Sequence, residues 1–309
     1  MNVILSGENR LEKIKKPLET VGVDCYTSTK DSPDRIDAVI CDVPGTTIIR
    51  NFWLKKKLDC PLIYRMRGNY WQEIRNAPFE RVRVEVANRM LFQLCDGVCV
   101  PDEYIKEEFL KKVSYIGTVS VVGVPKQVED YPNVSHEDEE YTFITLTNFN
   151  YREKVDPIYD YIDAVNEFLD DEQGHWYVAG DGKYSNRFEE YVSEYDHVSY
   201  QGFIDPHKYL PKTSVMLHIS GFDIGSPNAI LEGLASGLPV VTNDFPPFQE
   251  NPSVQVSSPR ELVETLDELC GDPEKRREIG RQGRDHVRRV HSNKAIGENF
   301  LKCIEEVTE

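Results

Sequence analysis

The sequence predicts an α/β protein built from two Rossmann-like domains, and three observations support this fold class. The chain has 309 residues, about twice the length of a typical domain. Short β-branched or apolar runs alternate with segments of helical periodicity, as expected of βα units in a parallel sheet. A polar, acidic, proline-containing stretch divides this pattern into two series, so we predict domains at 1–125 and 141–290, a linker at 126–140 and a final helix at 291–309.

The candidate strands are short apolar runs that recur along both series. The first series contains Asn2–Leu5, Asp37–Cys41, Leu62–Tyr64, Gly97–Val100 and Val119–Val122. The second contains Thr142–Leu146, Trp176–Ala179, Val198–Tyr200, Val215–Ile219 and Pro239–Thr242. Apolar residues that recur every three to four positions predict helices at Arg81–Cys95, Pro259–Cys270, Asp272–Val290 and Ser292–Val307.

The charge of the chain limits its partners. Its net charge is -17, from 53 acidic and 36 basic residues, and such a surface would repel a phosphate backbone, so nucleic acid is not expected as a partner. Residues 1–130 hold 20 basic and 19 acidic side chains, so the second half carries the deficit. Acidity on this scale keeps a surface hydrated at high salt and suggests a halophilic source, such as a halophilic archaeon.

The cysteines and the apolar runs indicate the cellular setting. Seven cysteines are scattered without the paired spacing of a zinc site, so we expect reduced structural thiols and no bound metal. The longest apolar runs fall well short of the roughly 20 residues of a transmembrane helix. The N-terminus lacks the basic flank and apolar run of a signal peptide. The expected location is therefore the cytoplasm.

The most informative segment precedes and contains a short helix in the second half. Ser226 is a good N-cap, Pro227 suits the first helical position and Gly237 provides a stop, so a helix is predicted to begin at Pro227. A glycine-containing loop before such a helix offers backbone amides and the positive end of the helix dipole to a diphosphate. The same spacing also fits an ordinary βαβ crossover without a ligand, and spacing alone does not separate the two interpretations.

The run from Gly225 to Val241 resembles the signature helix of retaining glycosyltransferases of family four, written E-G-x-P-N-x-x-x-E-A-x-A-x-G-x-P-V-V. This resemblance implies the GT-B fold, in which two Rossmann-like domains face a central cleft. It implies that Glu232 holds the donor ribose, and a carboxylate can indeed accept two hydroxyl hydrogen bonds at once. It also implies that the donor diphosphate is held by the backbone of Gly225, Ser226, Pro227 and Asn228.

One position departs from the signature. Its first Glu falls at Ile224, with Asp223 beside it. An isoleucine cannot contact sugar hydroxyls as a carboxylate does. The donor-sugar contact is therefore absent, shifted to Asp223 or supplied from elsewhere, and Asp223 is the candidate residue.

The segment Leu146–Lys154 resembles the strand-end motif G-R-x-x-x-x-K, whose cations neutralise the donor phosphates in this family. Lys154 matches the motif, whereas Phe149 occupies the Arg position. Arg152 is therefore the candidate for the second cation. A solvated surface pair of Arg152 and Lys154 is the alternative interpretation.

Three later segments follow the order of the family. Gly180 and Gly182 match its Gly-Asp/Glu-Gly turn, a turn that also ends many unrelated strands. Gly202 and Phe203 resemble the segment whose backbone meets the donor base. The tail at 272–280 resembles the late helix pair, which implies that the final helix packs back toward the N-terminal domain.

The first half carries a weaker resemblance. The loop after the strand at 62–64 resembles the family's strand-end His-Gly position, and the carboxyl ends of strands are where open α/β sheets bind ligands. Aromatic and amide side chains suit sugar rings. The acceptor-side candidates are Arg67, which replaces the His, Gly68, Asn69 and Trp71. A packed loop with its arginines in salt bridges explains this segment equally well.

Two further features have simple structural explanations. Six arginines lie between Arg65 and Arg89 with apolar residues interleaved, a pattern that would suit a membrane-facing surface for a lipid-linked acceptor. Such a helix more often packs its apolar stripe inward, and we predict this for its apolar residues, Val82, Val84, Val86, Met90, Leu91 and Phe92. His218 lies in an apolar strand and is predicted to be a core histidine.

These features together predict an enzyme that moves a sugar from a nucleotide-sugar donor to a hydroxyl of a glycan, polysaccharide or lipid-linked sugar, with retention of configuration. Lys154, Arg152, Asp223 and Glu232 are the candidate catalytic residues, with stabilisation of the leaving diphosphate as their main contribution. The donor is a substrate, and neither a cofactor nor a metal is expected. The alternatives are a non-catalytic GT-B partner that binds a sugar nucleotide or another subunit, and a sugar-nucleotide epimerase. Peripheral contact with the inner membrane face through the N-terminal domain is compatible with the main prediction.

Overall fold

The chain forms two compact units, each with one parallel sheet. The computed structural model describes residues 1–7, 11–42, 46–75, 79–134, 136 and 140–308. Unit 1 comprises Met1–Pro125 and Val290–Glu309, and unit 2 comprises Lys126–Arg289. Each sheet has six strands, and every strand pair is parallel. The predicted α/β class with two Rossmann-like units is confirmed.

The elements alternate between strand and helix along most of the chain. The first half contains β1 (Asn2–Leu5), α1 (Glu12–Thr20), β2 (Asp24–Tyr26), β3 (Ala38–Cys41), α2 (Thr46–Leu58), β4 (Leu62–Arg65), α3 (Tyr70–Glu73), α4 (Glu80–Val86), β5 (Gly97–Val100), α5 (Glu103–Lys112) and β6 (Thr118–Val121). The second half contains β7 (Tyr141–Leu146), α6 (Arg152–Glu172), β8 (Gly174–Ala179), α7 (Ser185–Val192), β9 (Val198–Tyr200), α8 (Pro206–Tyr209), β10 (Val215–His218), α9 (Asn228–Ser236), β11 (Val240–Asn243), β12 (Val254–Val256), α10 (Pro259–Gly271), α11 (Pro273–His286) and α12 (Asn293–Thr308).

Two helices continue beyond these bounds in altered geometry. Helix α4 continues through a π-helical turn at Ala87–Leu91 and a 3₁₀ turn at Phe92–Leu94. We call the whole stretch from residue 79 to residue 94 the α4 segment. Helix α11 continues through a π-helical turn at Val287–His291.

Helices cover both faces of the sheet of unit 1, whose strand order is β2-β1-β3-β4-β5-β6. Ile63 points to the face covered by α1 and α12, where it shares a core cluster with Leu18 and Phe300. The next residue, Tyr64, packs on Phe92 of the α4 segment, with ring centroids 5.6 Å apart. Successive side chains of a strand alternate between its two faces. Helix α12 and the α4 segment therefore lie on opposite layers of unit 1.

The sheet of unit 2 reverses its strand order at one place. The order is β12-β11-β10-β7-β8-β9, so the chain moves outward from β7 in one direction and returns to build β10, β11 and β12 on the other side. Strands β7 and β10 are therefore neighbours although 68 residues lie between their bounds. In open α/β sheets, the carboxyl ends of the two strands at such a reversal flank the usual ligand site.

Helix α11 packs against the end of α9 at very short range. A Cβ added to Gly280 would lie 1.9 Å from the carbonyl oxygen of Gly237. Arg276, one turn earlier, is buried, and its guanidinium donates hydrogen bonds to the carbonyls of Leu269, Cys270 and His136. A buried guanidinium is tolerated only when it is hydrogen-bonded in this way.

Most predicted elements occur with small shifts in their ends. All ten predicted strands overlap an observed strand, and their bounds agree within two residues. The structure adds β2 and β12, which the prediction missed because these three-residue edge strands lack a continuous apolar run. The predicted linker includes residues 135 and 137–139, which lie outside the described residues.

The α4 segment is helical as predicted, but its orientation differs from the prediction. Val82, Val86 and Met90 are exposed, whereas Leu91 and Phe92 pack inward. The prediction of an inward-facing stripe is therefore correct for Leu91 and Phe92 and wrong for Val82, Val86 and Met90, because periodicity identifies an amphipathic helix without showing which apolar residues find partners. Within the described ranges, the structure contains no helix with the length and apolar character needed to cross a membrane.

The contact between α11 and α9 gives a test of packing. We expect Gly280→Ala to lower the free energy of unfolding by about 2 kcal/mol, because the new methyl group would overlap the Gly237 carbonyl. Gly271→Ala is the matched control, since a Cβ at this helical glycine meets no atom within 4 Å. That change should be neutral or slightly stabilising. Urea unfolding of both variants measures the difference, and equal effects would contradict the packing argument.

Candidate functional site

The loops that follow strands β7, β8, β9, β10 and β11 meet at one edge of the unit 2 sheet. The backbone N–H of Gly221, after β10, donates to the carbonyl of Glu153, in the first turn of α6, at 2.9 Å. The N–H of Gly180, after β8, donates to the carbonyl of Gly202, after β9, at 2.8 Å. Asn243, at the end of β11, hydrogen-bonds both the N–H and the carbonyl of Ser220. The N–H of Phe149, after β7, donates to the carbonyl of Asp181, after β8, and this bond joins the others into a connected rim around the strand reversal.

Lys154 and Asp223 meet at the strand reversal itself. Lys154 lies in the first turn of α6, after β7, and Asp223 lies in the loop after β10. The Lys154 Nζ is 2.7 Å from the Asp223 Oδ2. The ammonium group also lies 5.4 Å from the centre of the Phe222 ring. Two residues that are 69 positions apart are thus brought into one ion pair.

His218 completes this group. Its Nε2 lies 3.3 Å from the Asp223 Oδ2. Its ring packs edge-on against Phe248, with centroids 5.1 Å apart. The prediction of a buried histidine is correct as far as burial goes, but it missed the contact with Asp223. Only its place near the end of a predicted strand could have indicated this, because the strand order that makes β10 border the reversal follows from the tertiary structure.

The carboxyl of Asp223 remains ionised despite its burial. Burial favours the neutral acid, but the charge of Lys154 and the hydrogen bonds from His218 and Lys154 outweigh it and lower the pKa of Asp223 below its ordinary value of 3.8. The result is a buried carboxylate whose Oδ2 contacts Lys154 and His218 and whose Oδ1 accepts the backbone N–H of Ile224. Such a group can still accept a hydrogen bond from a hydroxyl at its remaining lone pairs.

Gly180 and Gly182 are needed for the loops to approach one another. Both have φ of +148°, a conformation that other residues rarely adopt. A Cβ on Gly180 would lie 1.8 Å from the carbonyl oxygen of Thr147, and one on Gly182 would lie 2.4 Å from the amide nitrogen of Asn150. The turn therefore packs directly under the β7 loop. Phe203, in the next loop, is exposed.

Helix α9 begins one residue later than predicted. Pro227 is its N-cap and Asn228 is its first residue. The Ser226 hydroxyl does not cap the helix, because it donates to Asn251 Oδ1 at 3.1 Å. Asn251 also donates to the carbonyl of Gly225. Since Pro227 has no side-chain acceptor, the first-turn amides of α9 are left without a cap from this position.

Glu232 lies one turn after Asn228 on the same face of α9 and is paired with the segment that enters unit 2. Lys126 Nζ lies 3.0 Å from Glu232 Oε1 and 3.2 Å from the hydroxyl of Tyr131. The Tyr131 ring stacks on His207 with centroids 4.8 Å apart. Burial, together with the charge and hydrogen bond of Glu232, raises the pKa of Tyr131. Lys126, Tyr131 and His207 were not predicted, because nothing in their spacing links them to Glu232.

Arg152 is not in the group formed by Lys154. Its Nε lies 2.6 Å from Asp156 Oδ2, and its side chain is 62% exposed. It lines a groove of about 720 Å³ together with residues of α6 and α7, among them Arg187 and Tyr191. Phe149, which occupies the Arg position of the family motif, is fully buried and packs on Phe188. Ile224 is half-buried next to Asp223.

The acceptor-side candidates form a packed loop in unit 1. Trp71 is buried, its Nε1 donates to Asn88 Oδ1 at 3.1 Å, and Lys112 lies over its ring at 5.0 Å. Gly68 and Asn69 are also buried. Arg67 is half-buried, and its Nη1 lies 3.8 Å from the Asp42 carboxylate at the end of β3. Of the four, Arg67 is the most accessible to a ligand.

Comparison with known proteins gives consistent matches. The model of the family described as "Glycosyl transferases group 1" matches residues 140–272. A viral relative, "Putative glycosyltransferase ORF31" from a virus isolate designated Australia/Victoria, is 31% identical over 296 residues, which cover 94% of this chain and 92% of the relative.

Solved structures share the same fold over the whole chain. The sucrose-phosphate synthase (tll1590) from Thermosynechococcus elongatus matches with a TM-score of 0.72 and 15% identity, covering 99% of each chain. Anabaena Alr3699/HepE in complex with UDP matches with a TM-score of 0.74 and 14% identity, covering 99% of this chain and 100% of that one. A further structure of HepE contains UDP-glucose.

The lowered pKa of Asp223 predicts a pH-dependent contribution to stability. We expect Asp223→Asn to cost about 3 kcal/mol at pH 7, because Lys154 would lose its buried counter-charge. The contribution should be complete above the ordinary carboxyl pKa and should disappear as the pH falls through the lower pKa of the folded protein. Urea unfolding of both proteins between pH 6 and pH 3 measures this difference.

Asp156→Asn is the matched control, because its partner Arg152 is exposed. It should change stability by less than about 0.5 kcal/mol. A gap between wild type and Asp223→Asn that stays constant from pH 6 to pH 3 would contradict the assignment.

Proposed function

We propose that this chain transfers a sugar from a uridine diphosphate sugar to a hydroxyl acceptor with retention of configuration. The premise is that the chain belongs to the GT-B glycosyltransferases and has a glycosyl transferases group 1 domain at residues 140–272. In this reaction, the acceptor oxygen replaces the diphosphate at the anomeric carbon on the same face of the sugar. The donor class rests on similarity to HepE, whose structures contain UDP and UDP-glucose. The acceptor in this proposal is a glycan, a polysaccharide or a lipid-linked sugar.

The observation that carries the proposal is the Lys154–Asp223 pair at the strand reversal, next to the start of α9. An ammonium group has three donors, so Lys154 can hold Asp223 with one and a phosphate oxygen with another. The first-turn amides and the positive end of α9 add to the stabilisation of the leaving diphosphate. Stabilising charge as it develops on the leaving group is a large part of catalysis in this class of chemistry. We propose that these cationic groups act without a metal ion.

Asp223 and Glu232 have separate tasks in this proposal. Asp223 accepts hydrogen bonds from sugar hydroxyls in place of the carboxylate that the family has at the position of Ile224. Glu232 accepts hydrogen bonds from the ribose. Lys126 and the hydroxyl of Tyr131 already contact Glu232, and the remaining lone pairs of its carboxylate are the acceptors for the ribose hydroxyls in this proposal.

Three other candidates keep smaller parts in the proposal. The backbone around Gly202 and Phe203 would meet the donor base, and the exposed ring of Phe203 is available for stacking. Arg67 would contact the acceptor. Arg152 would act as a second cation for the donor diphosphate, although its side chain pairs with Asp156 in this structure.

A non-catalytic role is the second candidate, and two observations favour it. Phe149 is buried at the position of a family cation, and Ile224 stands at the position of a family carboxylate. A chain that kept Glu232 and lost these two groups would bind a sugar nucleotide without turning it over. Binding and turnover measured on one panel of nucleotide sugars separate the two candidates.

The donor site predicts a loss of nucleotide affinity in one variant. We expect Glu232→Ala to weaken UDP binding by about 1.5–3 kcal/mol, or about 10- to 150-fold, because hydrogen bonds to a charged acceptor are lost. The wild type should bind 2′-deoxy-UDP more weakly than UDP, and the variant should lose this preference. Calorimetry measures all four affinities.

Glu264→Ala is the matched control, since this glutamate lies on the surface of α10 and pairs with Arg260. Unchanged UDP affinity in Glu232→Ala, with the fold intact, would remove Glu232 from the site.

Measurements of turnover should distinguish the roles of Lys154 and Arg152. We expect Lys154→Met to reduce transfer by roughly 100- to 1,000-fold, the range for removal of one group that stabilises developing charge. Arg152→Ala should cost much less, because Arg152 is exposed and paired with Asp156. Asp223→Asn should reduce turnover strongly and leave UDP affinity nearly unchanged, because UDP lacks the sugar. Kinetics and calorimetry on the three variants check this order, and an equal loss for both cations would contradict the proposed geometry.

A further inference from the structure

Exposed apolar side chains are concentrated on two helices of unit 1. Among the described residues, twelve large apolar side chains are exposed, and six of them lie on α2 or the α4 segment. These six are Ile49, Trp53, Phe79, Val82, Val86 and Met90. Trp53 is 69% exposed and Met90 is 63% exposed. Exposed apolar residues that cluster in this way usually mark an interaction surface.

The two helices lie in the same layer of unit 1. Helix α2 connects β3 to β4, and the α4 segment lies between β4 and β5, so both connections advance in the same direction across the sheet. Connections between parallel strands are almost always right-handed, which places both on one face. Helix α2 also contacts the 3₁₀ turn that ends the α4 segment. The outer faces of α2 and the α4 segment therefore point away from the sheet on the same side.

The spacing of the apolar residues forms stripes on these outer faces. Ile49 and Trp53 are one helical turn apart on α2. Val82, Val86 and Met90 follow one another at intervals of four along the α4 segment. Residues four apart lie on one side of a helix. The exposed residues are therefore aligned on single faces.

Basic side chains surround these stripes. Helix α2 contains one arginine and three lysines and no acidic residue. Lys56 and Lys57 are exposed there, and Arg81 and Arg83 are exposed on the α4 segment. Glu80 and Glu85 offset only part of this charge. In a chain with a net charge of -17, α2 and the α4 segment form a local basic region.

We propose that α2 and the α4 segment form a docking surface for an anionic lipid membrane. Aligned apolar side chains with flanking lysines and arginines are the features that hold helices in the plane of a membrane interface. The apolar residues enter the interface, and the cations meet the lipid phosphates. The lipid phosphates repel the acidic surface that the net charge of -17 implies, and this repulsion favours an approach through these two basic helices. The contact is with the lipid headgroups themselves and does not depend on the donor chemistry proposed above.

Vesicle flotation with the full chain tests the proposal without any nucleotide sugar. We expect binding to vesicles that contain phosphatidylglycerol and little binding to pure phosphatidylcholine. Binding should weaken between about 0.1 M and 1 M salt, as the screening length falls from about 10 Å to 3 Å. The triple variant Trp53→Ser, Val82→Ser, Met90→Ser should bind at least about tenfold more weakly, because apolar contact with the interface is lost. Its native fold is checked by its melting temperature.

Matched variants control for composition and charge. Ile116→Ser removes a 95% exposed apolar side chain of unit 1 outside these helices and should bind like the wild type. Lys56→Gln with Lys57→Gln should weaken binding. Lys294→Gln with Lys302→Gln makes the same charge change on α12, in the opposite layer, and should not.

Three results would overturn the proposal. The first is a wild type that does not bind anionic vesicles. The second is an equal loss of binding in the triple variant and in Ile116→Ser, or in the Lys56→Gln, Lys57→Gln and Lys294→Gln, Lys302→Gln double variants. The third is a dimer in sedimentation that the triple variant abolishes without any change in vesicle binding, which would assign the surface to a second copy of the chain.

Discussion

The anchoring of helix α9 is the constraint on which the candidate site depends. Its carboxyl end is buried, and buried carbonyl groups must be hydrogen-bonded. The carbonyls of residues 235–237 accept bonds from Arg284, from the backbone N–H of Val134 and from His136. The donors come from the segment that enters unit 2 and from the helix near its exit. Because α9 has only nine residues, any displacement of this end would also move Glu232 and the amides at the other end.

The proposed site would bring an acidic ligand to an acidic protein. A chain with a net charge of -17 repels a diphosphate unless charge is compensated locally. Each of the two candidate carboxylates is held by a lysine, Asp223 by Lys154 and Glu232 by Lys126. These pairs cancel the local negative charge while they leave carboxylate oxygens available to hydroxyl groups. The dipole of α9 adds partial positive charge at the N-terminal end of the helix.

The sequence predicted the parts of this structure that depend on local pattern. Apolar runs located ten strands, and the signature at 225–241 located α9 with Glu232. The interactions of His218 and Lys126 depend on tertiary structure, since the Lys126–Glu232 pair joins residues 106 positions apart. Val82 of the α4 segment was predicted to face inward but is exposed, for a related reason. Periodicity shows that a helix has two unlike faces, but the partner of each face is set by the packing of distant elements.

Helix α12 makes unit 1 discontinuous, and this affects the order of folding. The core of unit 1 includes Ile296 and Phe300, which pack on Leu18 although unit 2 separates them in the chain. During synthesis, the strands of unit 1 emerge first but lack this part of their core until the last segment has been made. Unit 2 is continuous and has all of its residues earlier, so it can fold first, as domains generally fold as units. The nascent N-terminal half therefore keeps part of its apolar surface uncovered until α12 has been synthesised.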